Sequence, residues 1–191
     1  MCGGRGTRLD APIEKPLYEV GGRPMVDRVH DALAGGGVES VVAAVSPHTP
    51  ETAAHLRERG VAVVETPGEG YVSDLDAALS TLDRPAMTCV ADLPLLSPPV
   101  VDEARDAFRD ASADSLTVAV PAALKRRLGV SVDTTFVEAG RELAPTGLNV
   151  VGGDDGTVWV TSAPELAVNV NRRGDGAVAA WLAPRLDAPK E

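Results

Sequence analysis

Gly3, Gly4, Arg5, Gly6, Thr7 and Arg8 form a glycine-rich basic run, and Glu14, Lys15, Pro16 and Leu17 follow shortly after it. Glycines let a backbone take positive φ and bring its N–H groups close to phosphate oxygens. Arg5 and Arg8 add forked donors and Lys15 a compact point charge, a set suited to stabilising charge that develops on a polyphosphate. Lys15 stands out further because Lys125 and Lys190 are the only other lysines, in a chain with abundant arginine and an excess of acid. It is therefore a candidate catalytic cation, against the plainer reading of a solvated lysine on an exposed loop.

Asp92 is the second residue with chemical promise. It ends the apolar run Ala86–Ala91 and is followed by Leu93, Pro94, Leu95, Leu96 and Ser97. The carboxyl end of a strand is where ligands collect in open α/β sheets, and an aspartate there can hold Mg2+ against a phosphate. A helix N-cap is the structural alternative. Neither common nucleotide motif fits the N-terminal loop, which has no Gly-Lys-Ser/Thr ending and lacks the third glycine of a dinucleotide fingerprint.

The elements needed to position these groups read as apolar strands alternating with amphipathic helices, the pattern of a mainly parallel sheet with helices on both faces. Helices are predicted at Pro24–Ala34, after the loop Ser46–Pro50 to about Arg59, at Ser73–Leu82, from Pro99 to about Phe108 and at Gly174–Leu186. Strands are predicted at Ser40–Val45, Val61–Glu65, Ala86–Ala91 and Leu116–Val120. From Pro121 to about Val168 the pattern weakens into short strands, notably Leu148–Val151 and Thr157–Val160, read as a smaller β-rich acceptor region. A strand should also precede the glycine loop, yet only Met1 and Cys2 stand before Gly3, so a start of translation a few codons upstream is the favoured expectation.

With 191 residues and few aromatics, the chain reads as one domain whose core is mostly Val, Leu and Ala. A net charge of -10 argues against a general nucleic-acid binder. Acidity with arginine in place of lysine suggests a halophilic host, because at 1 M salt the Debye length is about 3 Å and self-repulsion is screened. No apolar stretch is long enough for a membrane span and the start lacks the order of a signal peptide, so a cytoplasmic location is expected. Cys2 and Cys89 read as small buried hydrophobes, and His30, His48 and His55 have no partner at ligand spacing.

The loop Gly3-Gly4-Arg5-Gly6-Thr7-Arg8-Leu9 with Glu14-Lys15-Pro16-Leu17 closely resembles the signature of the nucleotidyltransferases that join a nucleoside triphosphate to a phosphorylated acceptor and release pyrophosphate. Ser46-Pro47-His48-Thr49-Pro50, Gly68-Glu69-Gly70-Tyr71 with Asp74-Leu75, Ala91-Asp92-Leu93, Gly147-Leu148-Asn149-Val150-Val151 and Asn169-Val170-Asn171 extend the likeness. Together they resemble the archaeal GTP:adenosylcobinamide-phosphate guanylyltransferases of cobalamin biosynthesis. The resemblance implies a Rossmann-like three-layer sandwich of the nucleotide-diphospho-sugar transferase type. It implies a nucleotide-binding part at about 1–120 and an acceptor-binding part at about 121–191.

The same resemblance assigns roles. Arg5, Arg8 and Lys15 are the catalytic cations, and Gly3, Gly4, Gly6, Thr7, Ser46, Gly70 and Asp74 bind GTP, with Asp74 either accepting from the guanine edge or capping a helix. Asp92 holds Mg2+. Sugar-nucleotide branches complete the metal site with a late carboxylate, where this chain has the neutral Asn171. Asn149, Asn169 and Asn171 are assigned to the corrinoid phosphate acceptor or ribose, with turn formation the alternative. An acceptor phosphate is already ionised, so in-line attack on the α-phosphorus needs no general base. Rival readings are guanylyl transfer to the molybdenum cofactor, nucleotidyl transfer to a sugar 1-phosphate, and a non-catalytic nucleotide-binding subunit; a homodimer is compatible with all of them.

Overall fold

The computed structural model describes residues 1–4 and 6–186 of the chain, so the expectation for Arg5 lies outside the described residues. After the glycine loop, a 3-10 turn at Lys15–Leu17 leads into a short antiparallel ribbon, β1 (Glu19–Val20) and β2 (Arg23–Pro24). The next elements are α1 (Met25–Gly35), β3 (Val42–Val45), α2 (Pro50–Glu58), β4 (Ala62–Glu65) and α3 (Tyr71–Leu79). β5 (Ala86–Cys89), α4 (Pro98–Asp110) and β6 (Ser115–Pro121) complete the first part. The second contains α5 (Ala122–Leu128), β7 (Phe136–Glu138), β8 (Arg141–Val151), β9 (Gly156–Val160), a 3-10 turn at Pro164–Leu166 and α6 (Arg173–Leu186).

Proline opens α2 and α4, where its missing N–H and fixed φ cost nothing, and glycines close α1. β3 and β4 pair in parallel. The larger sheet has the order β5-β8-β6-β9, with β6 parallel to β9 and β8 antiparallel to both β5 and β6. β5, β6 and β9 thus share one direction, as expected, while β8 runs against them and carries β7 as a hairpin.

Met1 and Cys2 lie between the two sheets. The Met1 amino group donates to Cys89 O at 2.7 Å, Ala91 N donates to Met1 O, and Cys2 N donates to Ala44 O. This pairing directs the glycine loop out over the carboxyl ends of β3 and β5. Alongside it, a cavity of about 610 Å³ separates β3 from β5 beneath α1 and α3. The core is built from Leu, Val and Ala, with Cys2 and Cys89 buried in it.

Two readings of the chain need correction. The helix expected at Ser73–Leu82 spans Tyr71–Leu79, and Leu82, expected as its last residue, is exposed beyond its end. The region expected to hold only short strands contains the helix α5 and an eleven-residue strand, β8. β8 escapes a short window because Pro145 and Gly147 interrupt its apolar pattern, and the ladder with β6 shifts register between Thr117 and Ala119.

Candidate active site

The glycine loop folds around Lys15. Gly6 has φ +62°, and a Cβ there would approach Lys15 Cβ to 2.6 Å, so this position needs both the left-handed conformation and the missing side chain. Gly3 is hemmed in differently, between the side chains of Ser46 and Asp74. Ser46 Oγ donates to Gly3 O at 2.8 Å and accepts from His48 N, while Asp74 Oδ1 accepts from Gly68 N at 2.7 Å. Ser46 and Asp74 are both buried; Ser46 ties its loop to the glycine loop, and Asp74 ties the Gly68 loop to α3. Asp74 makes this loop contact in place of a helix cap, since α3 starts three residues before it.

Glu14 fixes the other flank. Its carboxylate accepts from Glu51 N at 2.8 Å, Thr52 N at 2.7 Å and Thr52 Oγ at 2.6 Å, which satisfies open donors in the first turn of α2. A carboxylate at a helix N-terminus is also favoured by the helix dipole. The Glu-Lys-Pro spacing therefore has a physical reason: Glu14 clamps the chain to α2, and Lys15 is delivered into the cleft at a fixed angle.

Lys15 Nζ donates to Asp92 Oδ2 at 2.5 Å and to Asn171 Oδ1 at 2.7 Å. The lysine side chain is 16% exposed and that of Asp92 18%, so the expected exposed-loop setting is corrected to a half-enclosed ion pair. Asp92 follows β5 and is no helix cap, since Ser97 holds that position for α4. The segment Asn169–Asn171 reaches it because Val170 N donates to Asp92 O at 2.9 Å. Asn169 Nδ2 then donates to Asp92 Oδ1 at 3.0 Å and to Thr146 O at 2.8 Å.

Two groups behind this row were not singled out by sequence. Lys125 of α5 is 4% exposed, and its Nζ donates to Asn169 Oδ1 at 2.8 Å. Burial pushes this ammonium below the usual lysine range, opposed by the charges of Asp92, Asp175 and Asp133. Asp175, at the start of α6, accepts from Ser131 N and Oγ and from Asn171 N and Arg172 N. Burial pushes its carboxyl up, but those four hydrogen bonds outweigh burial and hold it below the usual carboxylate range.

Arg8 reaches across to the second part of the chain and pairs with Asp133 at 2.9 Å, which also takes Arg172 at 2.8 Å. Gly3, Gly4, Arg8, Lys15, Gly70, Asp74, Asp92 and Asn171 line one cleft of about 700 Å³, together with Tyr71 and His48. Gly6 and Ser46 support it from behind. Thr7 is exposed and outside the lining. Asn149, assigned to the acceptor or ribose, sits inside β8 between Thr88 of β5 and Thr117 of β6 and does not line the cleft.

Among the described residues no group of three or more His, Cys, Asp or Glu side chains is placed to hold a metal ion. The oxygens of Asp92 and Asn171 nevertheless converge on one cation, the Lys15 ammonium. Such an oxygen pair suits Mg2+, which keeps several waters and takes one or two protein ligands plus substrate phosphates.

Residues 1–180 match the family model described as the MobA-like NTP transferase domain. The chain is 28% identical to the adenosylcobinamide-phosphate guanylyltransferase of Methanocaldococcus jannaschii, covering 95% of this chain and 94% of that protein. It is 31% identical to the bifunctional protein GlmU of Caulobacter vibrioides over 53% of this chain, but only 23% of that protein. Among solved structures, a hypothetical transferase from Thermus thermophilus superposes with a TM-score of 0.67 at 18% identity, covering 92% of this chain and 96% of that one. A CMP:2-keto-3-deoxy-manno-octonic acid synthetase in complex with CTP does so with a TM-score of 0.67 at 15% identity, covering 93% and 95%. The Rossmann-like nucleotide-sugar transferase fold is thereby shown, and the chain belongs to the family of MobA-like NTP transferase domains and is a nucleotidyltransferase.

Proposed function

We propose that this enzyme transfers GMP from GTP to adenosylcobinamide phosphate, giving adenosylcobinamide-GDP and pyrophosphate. The observation that carries this reading is the end-to-end match to the M. jannaschii guanylyltransferase, combined with a cleft lined by Gly3, Gly4, Lys15 and Asp92. A phosphate oxygen of the acceptor forms a bond to the α-phosphorus of GTP as the bond from that phosphorus to the bridging oxygen breaks. The electron pair leaves with pyrophosphate, and no proton has to be removed from the nucleophile.

Arg8 and Lys15 neutralise charge on the triphosphate, and the glycine loop presents its backbone donors at no cost in reorganisation. Mg2+ bound by Asp92 and Asn171 would supply a Lewis acid for the phosphoryl oxygens. Ser46 holds Gly3 O and His48 N, and Asp74 holds Gly68 N, so the two loops beside the glycine loop are the place proposed for the guanine. A donor-rich guanine edge met by these loops should favour GTP over ATP by at least about tenfold, the ratio that corresponds to about 1.4 kcal/mol.

The test is product analysis with GTP, ATP and Mg2+ against adenosylcobinamide phosphate, molybdopterin and sugar 1-phosphates. A GDP-corrinoid formed from GTP is the expected outcome. A product with another acceptor alone would overturn the corrinoid reading, and equal use of ATP would overturn the guanine reading.

A further inference from the structure

Both lysines among the described residues stand near Asp92. Lys15 reaches it directly from the cleft. Lys125 approaches from the opposite side and stops one residue short, at Asn169. Lys125 is not among the residues that line the cleft, so its ammonium does not face the space where a nucleotide would lie. Burying an ammonium group is costly, and an apolar residue of similar volume would fill the same place at no such cost. Its placement behind Asp92, one hydrogen-bonded side chain away, points to a role in what Asp92 does.

The hydrogen bonds give that role a direction. Lysine can only donate, so Asn169 must turn Oδ1 toward Lys125 and Nδ2 toward Asp92. A charged donor on Oδ1 polarises the amide and strengthens the bond that its Nδ2 makes. That bond occupies Asp92 Oδ1 and leaves Oδ2 as the oxygen offered to the cleft, where Lys15 takes it. When Lys15 turns to a bound triphosphate, Lys125 still balances the charge of Asp92 from behind.

We propose that Lys125 is a positioning residue for Asp92, acting through the side-chain amide of Asn169. The proposal rests on the nucleotidyltransferase reading of the cleft, but one of its readouts needs no substrate. In Lys125→Met, which keeps the volume and removes the charge, the Asn169 side-chain NH2 signals in a nitrogen-labelled NMR spectrum should shift and exchange with solvent at least tenfold faster. Unchanged signals would overturn the positioning role whatever reaction the enzyme performs.

A double-mutant cycle provides the functional test. Lys125→Met and Asn169→Ser should each lower kcat by tenfold or more, with the Kd for GTP moving less than threefold, and the double variant should be no slower than Asn169→Ser alone. Multiplying losses, or a rise in the KM for the acceptor with kcat unchanged, would show that Lys125 acts on substrate directly and overturn the proposal. Lys125→Gln, which keeps a donor without the charge, replaces the methionine variant in the cycle if that variant does not fold, and is judged by the same outcomes.

Discussion

Lys15→Met tests the centre of the site. The variant keeps most of the apolar stem and deletes the ammonium that bonds Asp92 at 2.5 Å and Asn171 at 2.7 Å. A hydrogen bond with a charged partner contributes about 1.5–3 kcal/mol, and breaking a fully buried ion pair costs about 3–5 kcal/mol. Neither limit applies in full. Asp92 keeps its bond from Asn169 and opens onto the cleft, so water recovers part of the loss. We work with about 2 kcal/mol, equivalent to a fall in Tm of roughly 4–8 °C for a chain of this size. Under the proposed reaction the same group stabilises charge in the transition state, so turnover should fall by about a hundredfold or more. Urea unfolding and steady-state kinetics on one preparation measure both quantities. A stability change within about 0.5 kcal/mol, the range of an exposed lysine, would refute the enclosed ion pair. Unchanged kcat would refute the catalytic role.

Asp92→Asn should raise the Mg2+ concentration needed for half-maximal rate and lower kcat more than it weakens GTP binding, as read by Mg2+ titration and direct binding. Glu14→Ala removes the acceptor from the first turn of α2 and should cost about 0.5–2 kcal/mol, as read from the urea midpoint, with a loss of kcat through Lys15. Gly6→Ala forces a side chain into φ +62° and onto Lys15 Cβ, and a loss of about 1–3 kcal/mol together with at least tenfold in kcat is expected from melting and kinetics. Asp175 titrates below its ordinary value of 3.8 in the folded protein, so its stabilisation is complete well above that pH and is lost as pH falls through the lowered folded value. Asp175→Asn should therefore be less stable than the parent at pH 7 and show a flatter acid limb below about pH 4 in pH-dependent melting.

How far the sequence revealed the fold follows from which signals are local. Strand–helix alternation up to Pro121 is written in runs of apolar residues closed by Gly and Pro, and the structure places α1, β3, α2, β4, β5, α4 and β6 within a few residues of those readings. α5 was readable in principle. Pro121 precedes it, Ala-Ala-Leu-Lys-Arg-Arg-Leu are helix formers, and Gly129 ends it in the left-handed conformation. Seven residues carry too little periodicity to outweigh the β-rich surroundings. The reversed direction of β8 had no local signal, since strand polarity is set by pairing partners and not by composition.

The site divides along the same line. Gly3, Gly4, Lys15 and Asp92 were legible because glycine and isolated charge are unusual where they stand. Asn171 came from the departure of its segment from the late carboxylate of related enzymes, and the structure gives it Lys15 as partner. Glu14 was visible as a letter in the motif but not as the clamp on α2, because its three donors belong to residues more than thirty positions away. Lys125 illustrates the limit most clearly. Within α5 it is one of three consecutive basic residues, Lys125, Arg126 and Arg127, and reads as part of a solvated face. Only the packing of α5 against β6 and β8 turns it inward, while Arg126 pairs with Glu142 at the surface. A buried charge is a property of the fold, and the residue that carries it can look like its neighbours until the chain is closed.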